Sequence, residues 1–578
     1  HSPVRMLTST TLSLASVLVA LAGHVINVDA GGFLAARQMS AADLQTTMLE
    51  GIAQGFRHSG RGTWDRVDEL EDLLRPMYTA LPKDSSGGLS HTVVRYALHR
   101  LFMQTHSWFV RGLNPGSEAR NASANMTATF ALDSVPVLPA LLQNSMERAH
   151  GTGLGGLSLR ETAILAAAIE DVIHRENREK LSMAYEVLSV STDEQLPSRQ
   201  ANLAIATFMT MYLLGSNFTN WTVEEVRTNE LRLLQTARWA QIQEWIDEEW
   251  RNVSASAGVS MDADMAFNSS LRVVQALTED YGRFNEDECH QLKHTLLGME
   301  GRKPGRVRLS DFYNGTRHSV WLFKEKIEYL RVLGALDESN ASNPQVIVPN
   351  YITSMPQCLR GSSIYSTCCT DECEELVAVI EAELAAPEAE VSKLLAIVSG
   401  LSSDTVVAPR QLPDPLVQRL TEVAAHHGGR VPIHGRLFAQ WMHHAFPREC
   451  NYPHPFGSVS PLTPDEWMRE TGHSSVGASE EEMLEHIRPD DTCSLGNSGA
   501  AGADPLQELP WNHAEEVFNS APFVNNSATN LVGEASAEAD RASGSGFLFE
   551  GIFLVGVLIA VVASPKTLQK EALVTEKE

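Results

Sequence analysis

An apolar run near the C-terminus, Phe547 to Ala563 (FLFEGIFLVGVLIAVVA), constrains this chain more than any other stretch. A bilayer crossing takes about 20 apolar residues, within a range of roughly 17 to 25. The run sits at the short end of that range, and Glu550 lies close to its start, where a carboxylate reaches the headgroup layer at modest cost. Lys566 and Lys570 follow, and no basic residue separates Arg541 from Lys566. The positive-inside bias then puts the tail in the cytoplasm. A lipid-anchor signal would end in its apolar tail, whereas here SPKTLQKEALVTEKE continues. The expected topology is a transmembrane helix over 547–564 in contact with the lipid bilayer, a cytoplasmic tail over 565–578, and everything earlier on the far side. A buried core helix and a cleaved apolar tail are the competing readings.

The opposite end agrees. Arg5 precedes the apolar run Leu12 to Ala22, and small residues follow. That is the layout of a secretory signal peptide, expected over 1–30 with cleavage after Ala22 or Ala30; an uncleaved anchor is the alternative. Between the two apolar segments lie nine Asn-x-Ser/Thr acceptors: Asn121, Asn125, Asn217, Asn220, Asn252, Asn268, Asn314, Asn340 and Asn525. Glycans at these positions would require each to be at the surface.

A length of 578 residues suggests two or three domains plus tails. The net charge is -27 and no block of Lys or Arg is present to track a phosphate backbone, so no nucleic-acid partner is expected. The predicted fold class is mainly α. A helical domain over 31–253 is followed by a helical, EF-hand-like, Cys-containing domain over 254–447 and a disordered stalk over 448–546.

Within the first domain, Trp64 to Tyr78 carries spaced apolar residues among charges. Val94, Leu98, Leu101, Phe102, Trp108 and Phe109 fall on one face of a second helix. Ser158 with Glu161, and Thr222 with Glu225, have the spacing of capping boxes. His91, His99 and His106 lie along the second helix. The last two are seven residues apart, about 10 Å along the axis, too far to share an ion. Glu170 and His174 read as a solvated i,i+4 pair.

His290 and His294 form an HxxxH that could place two ligands on one helix face, making them weak metal candidates. Gln291 stands where a zinc hydrolase needs Glu. No cofactor is expected. After a helix ending in Leu-Leu-Gly-Met, Gly305, Val307, Asp311 and Phe312 occupy EF-hand-like loop positions. A second helix, Trp321 to Leu336, leads to Val346, Asn350 and Tyr351 in matching places. Both loops lack the oxygen ligands calcium needs, with Arg302 and Pro304 among the replacements. This describes a degenerate pair joined through short Val-centred strands.

Of seven cysteines, Cys358, Cys368, Cys369 and Cys373 cluster, and Cys289, Cys450 and Cys493 are spread apart. Disulfides are expected, with Cys368 and Cys369 bonding to different partners and one thiol left over. Zinc is the alternative, although the spacing lacks paired knuckles. Further helices are predicted at Glu372 to Ala386, Glu390 to Leu401 and Leu416 to His427, and another through Leu437, Phe438, Trp441 and Phe446. Near the end of that last helix, His443 and His444 would favour positive charge. Thr463 to Glu466 is a capping box for a short helix around Trp467, and Glu480 to Ile487 can form another.

The phrases VRYALHRLF, VPNYITSMPQC, CCTDECEEL, HHGGRVPIHGRLFAQW and PRECNYPHPFG resemble a large set of uncharacterised proteins of dinoflagellate-type algae, over about Trp64 to Trp467. The resemblance implies no activity and no catalytic residue. Three function classes remain. The first is a single-pass type I membrane glycoprotein whose ectodomain binds a protein or glycan, or builds an extracellular layer. The second is a secretory-pathway metal or haem protein. The third is a membrane-tethered enzyme without a recognisable motif.

Overall fold

The computed structural model describes residues 64–113, 156–215, 223–258, 260, 264–315, 323–487 and 511–516. The apolar run at 547–564, the segment 1–30, Cys493, and Asn121, Asn125, Asn217, Asn220 and Asn525 lie outside them. Among the described residues, no helix is long and apolar enough to cross a membrane.

Helices dominate from the start. α1 (Trp64–Ala80), α2 (His91–His106), α3 (Leu159–Val187), α4 (Ser198–Leu213), α5 (Val223–Leu233), α6 (Ala237–Ala257) and α7 (Phe267–Phe284) surround the first core. Ser158 and Glu161 make the expected capping box, which satisfies backbone N–H groups at the start of α3. In α7 the buried residues Phe267, Leu271, Val274, Thr278 and Tyr281 recur every three or four positions and form one face. This core extends past residue 253 to include all of that face, together with Leu359 and Tyr365.

One predicted helix is shorter than its apolar pattern. Ser107 adopts a left-handed conformation (φ 58°) and ends α2, so Trp108 and Phe109 belong to strand β1 (Trp108–Val110) rather than to the helix face. The pattern of apolar residues did not register the turn because its left-handed residue is not glycine.

Next come α8 (Glu286–Leu297), β2 (Arg306–Arg308), α9 (Leu309–Gly315), α10 (Ile327–Val332), β3 (Leu336–Asp337), β4 (Gln345–Ile347) and α11 (Val348–Ile352). The strands form a small sheet in the order β2-β4-β3, and Val307 faces Val346, the pair picked out by the spacing of the two loops. Gly305 precedes β2 at φ +70° and lies against the Pro447 carbonyl, where a Cβ would collide. Of the helix expected over Trp321 to Leu336, the part described as helical is α10. Gly334 at φ 71° ends that turn and Leu336 passes into β3. Leu296, Phe312, Phe323, Leu330 and Tyr351 fill a separate core beneath this sheet.

Strand β5 (Tyr365–Thr367) returns to the first unit and pairs antiparallel with β1, Trp108 opposite Thr367. The chain then builds α12 (Glu372–Leu384), β6 (Glu388–Ala389), α13 (Val391–Ser399), α14 (Asp414–His426), β7 (Val431–Pro432) and α15 (Arg436–Ala445). Their core contains Ile380, Leu394, Leu420, Phe438 and Trp441. The short sheet of β6 and β7 closes it.

The expected stalk over 448–546 is corrected where it is described. Residues 448–487 are folded onto the body: Cys450 is bonded to Cys373, and α16 (Pro464–Thr471) buries Trp467 against Tyr329 and Leu462. α17 (Glu480–His486) starts on a capping box of Ser479 and Glu482 and leans on the Phe312 core through Met483. Residues 511–516 dock on α15. Polar composition suggested a tether, but a few large apolar anchors are enough to hold a polar segment down.

Candidate functional site

The three cores meet at Cys368-Cys-Thr-Asp-Glu-Cys373. Cys368 bonds Cys358, Cys369 bonds Cys289 at the start of α8, and Cys373 in α12 bonds Cys450. The two adjacent cysteines thus take different partners, as the sequence suggested, and the cluster also recruits Cys289 and Cys450. Backbone hydrogen bonding anchors the seam: Cys368 N–H donates to the Ser107 carbonyl at 2.9 Å. Asp371 caps α12 by accepting from Cys373 N–H at 3.0 Å, and its other oxygen accepts from Asn451 Nδ2 at 3.1 Å. Burial, with the nearby Glu374 charge, pushes the Asp371 carboxyl up to about 7.

Beside this seam is the metal-distance cluster that the described residues form. Ligand atoms of His290, Glu372 and Asp404 all lie within 4.8 Å of one another. Glu286 Oε1 is 3.5 Å and Asp404 Oδ2 3.9 Å from His290 Nε2. His294 is exposed and takes no part, so the HxxxH spacing does not define the cluster. Glu372, however, already has a cation: both its oxygens lie 2.6 Å from the buried Lys293 ammonium. Burial still raises the Glu372 carboxyl, because Lys293 is opposed by Glu449 and Asp404. A divalent ion at Glu372 would have to share that carboxylate with Lys293 and meet the repulsion of its ammonium. The donor set therefore fits an internal ammonium better than a resident metal.

The same economy recurs in the helix-loop-helix pair. Glu300 opens the first loop, accepts from Gly305 N–H, and is clasped by Arg448 through Nε at 3.0 Å and Nη2 at 2.6 Å. In the second, Asp337 accepts from Ser339 N–H at 3.0 Å and from Arg306 Nε at 3.1 Å. Arg306 is fully buried and also meets His443 Nε2 at 3.1 Å. Guanidinium groups thus hold the carboxylates that begin and shape these loops.

A third network joins the first core to the one built on α12. Arg100 on α2 is 1% exposed and pairs with Glu374 and Glu381 of α12, while His434 Nε2 lies 2.7 Å from Glu381 Oε1. Burial opposes the Glu381 charge, but Arg100 and His434 outweigh it and hold the carboxyl below its usual range. For His434 burial prevails and the imidazole falls below its ordinary value.

Several sequence expectations change in this light. Glu170 and His174 are not a solvated pair: Glu170 is buried and held by Arg66 at 2.7 Å and 2.8 Å, and His174 Nε2 meets Glu279 at 2.7 Å. His443 and His444 are buried rather than cationic at a helix end, and burial lowers both, His444 to about 4. The four described glycosylation acceptors, Asn252, Asn268, Asn314 and Asn340, are all exposed. No protein-family model, curated protein or solved structure matches the chain.

Proposed function

We propose that this chain is the luminal or extracellular body of a single-pass type I membrane glycoprotein, held by 547–564 and serving as a rigid binding or structural module for a protein or glycan. The observation that carries the reading is the cysteine seam: three pairs at bonding distance along one segment, with Cys289–Cys369 inside the Phe312 core, Cys373–Cys450 at the Trp441 core and Cys358–Cys368 beside the first core. Such disulfides form and persist in oxidising compartments and are rare where thiols are kept reduced. Exposure of Asn252, Asn268, Asn314 and Asn340 adds support, since a glycan requires an exposed asparagine.

Within that body we read the unit from α8 to α11 as a degenerate EF-hand-like scaffold. The Val307 to Val346 pairing supports this, and Arg448 and Arg306 supply the positive charge that an ion would bring.

The test is made on intact cells expressing the full chain. Glycosidase treatment should increase mobility, externally added protease should remove the body but leave a membrane-held remnant, and non-reducing peptide mapping should return the three cysteine pairs. A protein with free thiols at these six positions, unmodified asparagines and resistance to external protease would overturn the proposal.

A further inference from the structure

Residues 511–516 (WNHAEE) contain neither helix nor strand, yet the body holds one of their N–H groups, three of their carbonyls and both of their carboxylates. The Arg436 guanidinium donates to the Asn512 carbonyl at 2.5 Å and the Ala514 carbonyl at 2.6 Å. Arg436 N–H donates to the Glu516 carbonyl at 3.0 Å. Asn512 N–H donates to Gln440 Oε1 at 3.3 Å. Glu515 sits at the first turn of the ten-residue helix α15, where it accepts from Leu437 N–H at 3.1 Å and meets His427 Nε2 at 2.5 Å. Both oxygens of Glu516 accept from Phe456 N–H at 3.0 Å. The Trp511 ring stacks on His444 with centroids 5.3 Å apart, and the Arg419 guanidinium lies 5.1 Å from the Trp511 ring centre.

These contacts divide the work as peptide-recognition sites do. A planar fork reads main-chain carbonyls, a helix start and a histidine hold one carboxylate, a main-chain N–H holds the other, and an aromatic ring anchors one end. Arg436 Nη1 is held by the body itself, through Gln440 Oε1 and the Pro453 carbonyl at 3.0 Å each, whereas Nε and Nη2 take their acceptors from the segment. We propose that the N-terminal end of α15 is a recognition site for an extended peptide carrying an aromatic residue followed four and five positions later by two carboxylates. In this chain its own residues 511–516 fill the site as a latch. In sequence the latch lies between the folded body and the apolar run at 547.

The direct test uses a fluorescein-labelled peptide with the sequence of residues 509–518 (LPWNHAEEVF) and the full-length chain in detergent. The intact chain should bind at least tenfold more weakly than a Trp511→Ala, Glu515→Gln, Glu516→Gln variant, because the tethered latch competes at high effective concentration. Adding Arg436→Gln to the variant should abolish binding, and a peptide with both glutamates changed to glutamine should not bind. A variant with an unchanged melting curve that takes up no peptide overturns the proposal, as does equal binding of the glutamine peptide. A second preparation is protected from misfolding of the variant. It carries a protease site within 500–505, is folded intact, and is then cut. The C-terminal piece should stay with the body and depart when Glu515→Gln and Glu516→Gln are present. Departure without those changes, or retention despite them, also overturns it.

Discussion

Each cysteine pair closes a loop of known length, and the lengths differ enough to rank what each bond contributes. Cys289 and Cys369 are separated by 80 residues, Cys373 and Cys450 by 77, and Cys358 and Cys368 by 10. The chain-entropy relation gives about 4.5 kcal/mol for either long loop and about 2.7 kcal/mol for the short one. Paired Cys→Ala variants are the right perturbation, because Cys289, Cys368, Cys369 and Cys450 are buried and Ser would place a hydroxyl in an apolar setting. Urea unfolding followed by tryptophan fluorescence senses all of the cores together, since Trp108, Trp441 and Trp467 are buried in different ones. The two long-loop variants should lose similar stability, and the short-loop variant roughly three-fifths as much. If removing Cys358 and Cys368 costs as much as removing Cys289 and Cys369, loop closure is not what these bonds contribute and the seam argument fails. The same holds if mapping of the wild type finds different pairs.

Replacing Arg100 with Leu strands Glu381 in the interior and should cost about 3 to 5 kcal/mol at pH 7. Glu381 is held below its usual range in the native state, so its contribution begins to fade as pH falls past the ordinary carboxylate value and is gone once pH is below the lowered one. The gap between Arg100→Leu and wild type should therefore narrow in acid, as denaturation curves at pH 7 and pH 4 would show. Burial raises the Glu230 carboxyl to about 7, so its contribution is complete below its unfolded value and lost as pH rises through about 7. Glu230→Gln should be more stable than wild type at pH 8 by about 3 kcal/mol at most, and the advantage should disappear near pH 4. Lys293→Met removes the ammonium from Glu372, so zinc affinity by calorimetry should rise at least tenfold over wild type; unchanged affinity would show that Lys293 does not compete for the cluster.

Local chemistry was legible in the sequence. The capping boxes at Ser158 and Thr463 formed as read, because they need only residues three apart. Val307 and Val346 were matched by their position in two similar loops, and the sheet pairs them. What was hidden depends on distant partners. Nothing within a turn of Arg448 points to Glu300, or within a turn of Arg66 to Glu170, and no periodicity records such an ion pair. Glu372 and Asp404 could not be assigned to His290 for the same reason, whereas His294 was named because it was near in sequence. The segment after 447 was misread by composition: Trp467, Val476 and Trp511 are few, but each is placed against the body.

The arginine clasp on Glu300 has a consequence for how this protein meets changes in its surroundings. A loop that borrows calcium from solution reports how much calcium is there, and its shape follows supply. Here the counter-charge is covalently part of the polypeptide, supplied at Arg448 and always present at the same stoichiometry. The shape of this loop is thereby deaf to mineral supply, and it stays the same whether calcium outside is scarce or plentiful.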